Sequence, residues 1–345
     1  MSIHNKKNVA VIGATGYTGL DLILMLSKHP KIKITNLCAT KNLGKKINFF
    51  DKRIKKNLPK ITSVKTINWD ILDLVFLSLP NGEAQKIIKK NYNRNKQLKF
   101  IDLSADFRIT KASTYKKNYN LNHKAKLLIK KSLYSIPELN KNLIKEFRII
   151  SNPGCYPTSI QLPLVPLLKK KLIKKNNIII DSKSGFSGAG KNLKKKFSKK
   201  NLFSSIQVYG LPKHRHISEI DQEINKTIRS RVKYVFTPHL LPTFRGLLSA
   251  IYVEKNKGIT VKKIHSELNQ FYKKSFFIKI AALNKTIGTG NVINTNFCEI
   301  SVCSLREKSK ILILSAIDNL IKGAGGQAVQ NMNLIFGYKE NLGLR

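Results

Sequence analysis

The stretch Asn8-Val-Ala-Val-Ile-Gly-Ala-Thr-Gly-Tyr-Thr-Gly19 decides the fold. Its first five residues are an apolar run of strand length, and glycines follow at 13, 16 and 19. Leu20, Leu22, Ile23, Leu24 and Leu26 then continue in a helix-like pattern that Pro30 closes. A strand, a glycine-rich turn and a helix in that order build a phosphate cradle. The glycines permit a tight turn and let a pyrophosphate approach the N–H groups at the helix start. Residues 32–39 follow at the distance expected of a second parallel strand, and 72–79 and 99–103 read as a third and fourth.

Repeated alternation of strand and helix predicts an α/β fold with a Rossmann-like, doubly wound parallel sheet over residues 1–150. Gly13, Thr15, Gly16, Tyr17, Thr18 and Gly19 are its candidate cofactor ligands. The second strand runs into Cys38-Ala39-Thr40-Lys41, where no acidic residue is present to hold the ribose of NAD and repel a 2′-phosphate. The expected cofactor is therefore NADP(H), with Thr40 and Lys41 as ligands of that phosphate.

From about residue 158 the texture changes. Residues 177–181, 232–236, 247–254 and 276–281 read as strands and 259–272 as a helix, which predicts an α+β domain on a mixed or antiparallel sheet over 151–310. The apolar stretch 311–321 leads through glycines at 323, 325 and 326 into 327–336. It is read as a long helix, so that 311–345 forms a helical segment packing back on the first domain.

Ser151-Asn-Pro-Gly-Cys-Tyr-Pro-Thr158 places a cysteine just after a Pro-Gly turn, at the start of an apolar, helix-like segment. Unpaired N–H groups at a helix start favour the ionised sulfur, lowering a thiol from its free value of roughly 8.5. Cys155 is the candidate nucleophile, against the plainer reading of a small buried hydrophobe. A cysteine nucleophile beside a nicotinamide cofactor points to thioester chemistry with hydride transfer at the same carbon. Such chemistry needs a base, and Tyr209-Gly-Leu-Pro-Lys-His-Arg-His216 offers His214 and His216, either of which could serve. The loop Asp181-Ser-Lys-Ser-Gly-Phe-Ser-Gly-Ala-Gly-Lys191 is rich in glycine and serine and can aim N–H and hydroxyl groups at a phosphate or an amide. Ser187 and Gly188 are its candidate cofactor contacts.

The chain has 345 residues, enough for two domains. No apolar run approaches the roughly 18 residues of a membrane span, and the polar start leads into a strand without a signal-peptide core, so a cytoplasmic protein without membrane contact is expected. Four cysteines without C-x-x-C spacing and seven histidines without a zinc pattern predict reduced thiols and no metal. The formal net charge of +45 raises the possibility of nucleic-acid binding. Yet lysines are dispersed in pairs along nearly the whole chain beside abundant Asn and Ile, and no nucleic-acid module is visible. Compositional drift and no specific nucleic-acid partner are expected, with the dense block Lys191 to Lys200 read as a solvated loop.

At this point the sequence closely resembles the N-acetyl-gamma-glutamyl-phosphate reductases of arginine biosynthesis, within the wider semialdehyde dehydrogenase group. The likeness spans nearly the full length. It rests on 13–19, Ile101-Asp-Leu-Ser-Ala-Asp-Phe-Arg108, Pro153-Gly-Cys-Tyr-Pro-Thr158, Ser184-Gly-Phe-Ser-Gly-Ala-Gly190, His214-Arg-His216 with Glu219-Ile220, Thr237-Pro-His239 with Arg245-Gly246, and Asp318 through Gln330. The resemblance implies NADPH-dependent reduction of a small acyl phosphate, N-acetyl-L-glutamyl 5-phosphate, to the semialdehyde. It also implies a catalytic and dimerisation role for the second domain, and a homo-oligomer, dimer or tetramer. Cys155 would be the nucleophile, His216 the preferred base, and Arg108, Arg245 and Glu219 substrate ligands. Pro163, Ser218 and Lys191 depart from the family's usual residues, and Pro163 with Pro166 argues against one straight helix after Cys155. An aspartate-semialdehyde dehydrogenase is the enzymatic alternative; it would share the turn and the cysteine, but not the His-Arg-His spacing with Pro-Gly before the cysteine.

Overall fold

The computed structural model describes residues 6–191 and 204–344. Of the block 191–200, all but Lys191 lies outside these. The described residues divide into two compact units. One runs to Pro153 and includes Ala324–Leu344; the other is Gly154–Gly323.

The first unit is built on β1 (Lys7–Ile12), β2 (Ile32–Cys38), β3 (Ile61–Thr62), β4 (Leu74–Leu77), β5 (Lys99–Asp102), β6 (Ser132–Tyr134) and β7 (Ile149–Ser151). They form one seven-stranded sheet in the order β3-β2-β1-β4-β5-β7-β6, parallel throughout. β1 is central, and its continuous apolar run follows from burial on both faces. Val9 and Val11 face a core shared with the helices Tyr17–Lys28 and Gly326–Ile335, while Ala10 and Ile12 face another shared with Glu83–Asn91. This is the doubly wound architecture expected from the sequence.

The second unit carries β8 (Ile178–Gly185), β9 (Gln207–Val208), β10 (Tyr234–Leu241), β11 (Leu247–Glu254), β12 (Ile278–Ile280), β13 (Cys298–Ser304) and β14 (Lys310–Ile317). Their order is β12-β13-β14-β11-β8-β10-β9, with β8 parallel to β10 and antiparallel to β11. A mixed sheet was expected, but residues 311–317 correct the sequence reading. They form β14, hydrogen-bonded between β11 and β13, not the start of a terminal helix. Six of the eight β14 residues are buried, and such a run has no period that separates strand from helix. The helix that does return to the first unit is Gly326–Ile335.

Cys155–Lys169 is one continuous 15-residue helix with Pro163 and Pro166 inside it. Pro166 has no N–H for the carbonyl of Leu162, and the buried Tyr272 hydroxyl donates to that oxygen instead. A buried hydroxyl chain, Ser159 Oγ to Ser249 Oγ to Ser182 Oγ at 2.7 Å each, seats this helix on β11 and β8. Among the described residues no helix is long and apolar enough to cross a membrane, and no cluster of three or more metal-ligating side chains occurs.

Candidate active site

Cys155 is the first residue of its helix, with Gly154 extended before it (φ −73°, ψ 162°). It is a partly buried cysteine outside any disulfide, whereas Cys38, Cys298 and Cys303, also outside any disulfide, are buried. The Thr158 N–H and Oγ1 both donate to the Gly154 carbonyl at 3.0 and 2.9 Å, closing the first turn. The Gly154 N–H donates to Glu219 Oε2 at 3.1 Å.

Glu219 stands in the first turn of the helix Ile217–Ile228, which packs on the Cys155 helix, and it is fully buried. Its other carboxylate oxygen is 3.8 Å from His216 Nε2. The resemblance implied a substrate ligand at Glu219. In the structure its buried carboxylate joins the turn before the nucleophile to a histidine, a connection invisible in sequence.

His214 and His216 are both buried, yet their settings differ. The His216 backbone N–H donates to His214 Nδ1 at 3.2 Å. Burial, helped by the neighbouring Arg215 charge, pushes His214 down to about 4. A ring that stays neutral to such low pH is a weak base.

Both histidines line a pocket of about 290 Å³ together with Cys155, Tyr156, Ser184, Gly188, Ala189, Tyr209, Gly210, Lys213 and Arg215. Tyr156 and Tyr209 escaped the sequence reading, although both lie within quoted motifs. The Tyr209 hydroxyl donates to Tyr156 Oη at 3.3 Å and the Tyr156 hydroxyl to the His239 carbonyl at 3.0 Å. Burial raises both phenols well above their usual range. Gly188 is at the pocket, while the hydroxyl of Ser187 accepts from Asn319 Nδ2 at 2.9 Å and is 3% exposed.

The two arginines implied as anion ligands are engaged within their own units. Arg108 donates from Nε to the Asn152 carbonyl at 2.8 Å and from Nη2 to the Leu103 carbonyl at 2.9 Å, both in the first unit. Arg245, in the second, lies 3.4 Å from the buried Asp318 carboxylate. The cations that line the pocket are Lys213 and Arg215, which sequence reasoning passed over as neighbours of the histidines.

In the first unit, the turn 13–19 divides labour among its glycines. Gly13 has φ +89°, and a Cβ there would stand 2.0 Å from the Ser78 carbonyl oxygen. A Cβ on Gly19 would stand 2.3 Å from the Gly13 oxygen. At Gly16 the nearest atom is 3.6 Å away, which leaves the backbone at the helix start open to the approach of a group such as a pyrophosphate. The Gly13 and Ala14 N–H groups bond the Cys38 carbonyl at 2.8 and 3.0 Å, tying the turn to the end of β2. Thr40 and Lys41, just beyond β2, are exposed.

Comparison with known proteins agrees with this division. Residues 8–147 match the family model "Semialdehyde dehydrogenase, NAD binding domain", and 155–319 match "Semialdehyde dehydrogenase, dimerisation domain". An N-acetyl-gamma-glutamyl-phosphate reductase of Afipia carboxidovorans is 39% identical over 342 residues, covering 98% of this chain and 97% of its own. Another, of Clostridium kluyveri, is 42% identical and covers 97% of each. A probable chloroplastic one of Arabidopsis thaliana is 42% identical over 97% of this chain and 83% of its own. Among solved structures, an aspartate semialdehyde dehydrogenase with NADP from Candida albicans superposes with a TM-score of 0.71 at 18% identity, covering 98% of this chain and all of its own. One from Vibrio cholerae gives 0.70 at 18%, covering 96% and 99%. At that identity the likeness concerns the fold alone. The near-complete matches at about 40% identity carry the assignment, and the chain belongs to the N-acetyl-gamma-glutamyl-phosphate reductase family of semialdehyde dehydrogenases.

Proposed function

We propose that this chain reduces N-acetyl-L-glutamyl 5-phosphate to N-acetyl-L-glutamate 5-semialdehyde, with release of phosphate, using NADPH. The observation that carries this reading is the Cys155 thiol at a helix start, in one pocket with His216, whose ring is backed by the buried Glu219.

The Cys155 sulfur attacks the acyl carbon, the bond to phosphate breaks, and a thioester remains on Cys155. His216 takes the thiol proton and delivers it to the departing phosphate, while Glu219 steadies the charge that the ring carries between these events. A reduced nicotinamide, when bound, supplies the hydride that brings the acyl carbon to the aldehyde level. Collapse of the resulting thiohemiacetal breaks the carbon–sulfur bond and returns Cys155. Backbone N–H groups at the start of the Cys155 helix support negative charge on the carbonyl oxygen, a contribution typically about 3 kcal/mol per donor.

The first unit is a nicotinamide-nucleotide binding domain by its family match and its turn. The preference for NADPH rests on Thr40 and Lys41 in place of an acidic ribose ligand. Self-association is assigned to the sheet of the second unit, within the segment that matches a dimerisation domain. There Ile179 and Val235, neighbours on β8 and β10, are 48% and 60% exposed. The test is NADPH oxidation that depends on N-acetylglutamyl phosphate, run beside aspartyl phosphate. Turnover with the second compound alone would reassign the substrate.

A further inference from the structure

His214 lines the same pocket as Cys155, yet it is held in one orientation and one tautomer. Because the His216 N–H donates to Nδ1 at 3.2 Å, the proton of the neutral ring must sit on Nε2. Three rings confine the imidazole edge to face: Tyr209 at 5.3 Å, Phe236 at 5.5 Å and Tyr156 at 5.6 Å between centroids. On the remaining side stands Gly210, where a Cβ would come within 2.7 Å of His214 Cδ2. These groups pack around the ring and oppose its turning over to exchange its nitrogens.

The charged and titratable groups that face it or line its pocket are Tyr156, Tyr209, His216 (ring centroid 4.9 Å away), the Arg215 guanidinium, Lys213 and Cys155. Apart from the Cys155 sulfur, none is an anion near neutral pH, since burial keeps both phenols protonated. The carboxylate of this site, Glu219, lies against His216. Among the described residues no hydrogen bond is made by His214 Nε2, so a fixed donor opens on the pocket that holds the nucleophile.

We propose that His214 is a permanently neutral hydrogen-bond donor whose Nε2–H stabilises the oxygen of the reacting carbonyl as it gains negative charge, leaving His216 as the base. This rests on the acyl-phosphate reading and adds to it a division of roles between the histidines. A neutral imidazole suits the task because its proton is not lost in donating it, and a preorganised donor need not reorient as charge develops.

The experiment pairs ¹⁵N NMR of the imidazoles in the wild-type protein with kinetics of His214→Leu and His214→Gln. The expected spectrum shows protonated Nε2 and unprotonated Nδ1 for His214 from pH 6 to 8, with its Nε2–H resonance moving when the semialdehyde product adds to Cys155. The expected kinetics are a loss of kcat of roughly 100-fold or more in His214→Leu. In His214→Gln, which keeps a donor, at least a tenfold part returns and the acid limb of the pH profile stays in place. Titration of His214 near 6.5, the opposite tautomer, or disappearance of the acid limb in His214→Gln would overturn the proposal. A wild-type enzyme inactive on N-acetylglutamyl phosphate would refute the substrate instead, while the tautomer measurement still decides the state of His214.

Discussion

Gly323 lies against the nucleophile so closely that a Cβ placed on it would stand 2.6 Å from the Cβ of Cys155 and 3.1 Å from its Cα. The two residues are far apart in sequence and become neighbours because the chain leaves β14 and passes under the start of the Cys155 helix. The glycine here is a matter of space, and it sets where the sulfur can sit.

Gly323→Ala is therefore expected to displace Cys155. Overpacking of this kind typically costs about 1–3 kcal/mol of stability, and a shift of the nucleophile by a fraction of an ångström lowers kcat by roughly tenfold to 100-fold. Thermal unfolding and steady-state rates measured on the same preparation check both effects. Wild-type kcat in a folded Gly323→Ala protein would show that the close approach has no catalytic consequence.

Glu219→Gln removes the charge behind His216 while keeping a group that can accept from the Gly154 N–H. The expected outcome is a fall in kcat of about tenfold or more with KM changed little, the pattern of an interaction that matters in the transition state. A rise in KM at unchanged kcat would return Glu219 to the substrate-ligand role implied by the family resemblance.

Acid stability carries a signature of His214. Its native ring resists protonation down to about 4, whereas the unfolded chain takes up a proton near 6.5. Between these values the unfolded state binds more protons, so the contribution is complete above pH 6.5 and is lost as pH falls toward 4, about 3 kcal/mol in all. Urea midpoints at pH 7 and pH 4.5 should differ less in His214→Gln than in the wild type. His29 and His123, both also lowered chiefly by burial, are common to the two proteins. Equal differences would place the ionisation of His214 elsewhere.

The Thr40→Ala, Lys41→Ala double variant should narrow the ratio of kcat/KM for NADPH over NADH, mainly through KM for NADPH. An unchanged ratio would move the 2′-phosphate contact away from the end of β2.

Much of this site was legible because its chemistry is local. The glycine turn announces itself through three close-set glycines between a strand and a helix, and Cys155 through the Pro-Gly step before it. The strands β1, β2, β4 and β5 are apolar runs bounded by turn residues, and they read correctly. What stayed hidden depends on residues distant in sequence. The carboxylate of Glu219 meets Gly154 from another helix, and Gly323 meets Cys155 across more than half of the second unit. β6 and β7 are three residues each, too short for any period to show, and β14 is buried on both faces. The Tyr272 hydroxyl takes up the Leu162 carbonyl that Pro166 leaves open in the Cys155 helix, and nothing near that proline in sequence points to it.

If the acyl group passes through Cys155, mixing enzyme and N-acetylglutamyl phosphate without nicotinamide traps it there. One phosphate released per active site, together with a mass increment of one N-acetylglutamyl group on the Cys155 peptide, is the predicted result. Cys155→Ser should show neither, while Cys38→Ala, Cys298→Ala and Cys303→Ala retain both. An acyl group found on another residue, or a full phosphate burst from folded Cys155→Ser, would contradict the account.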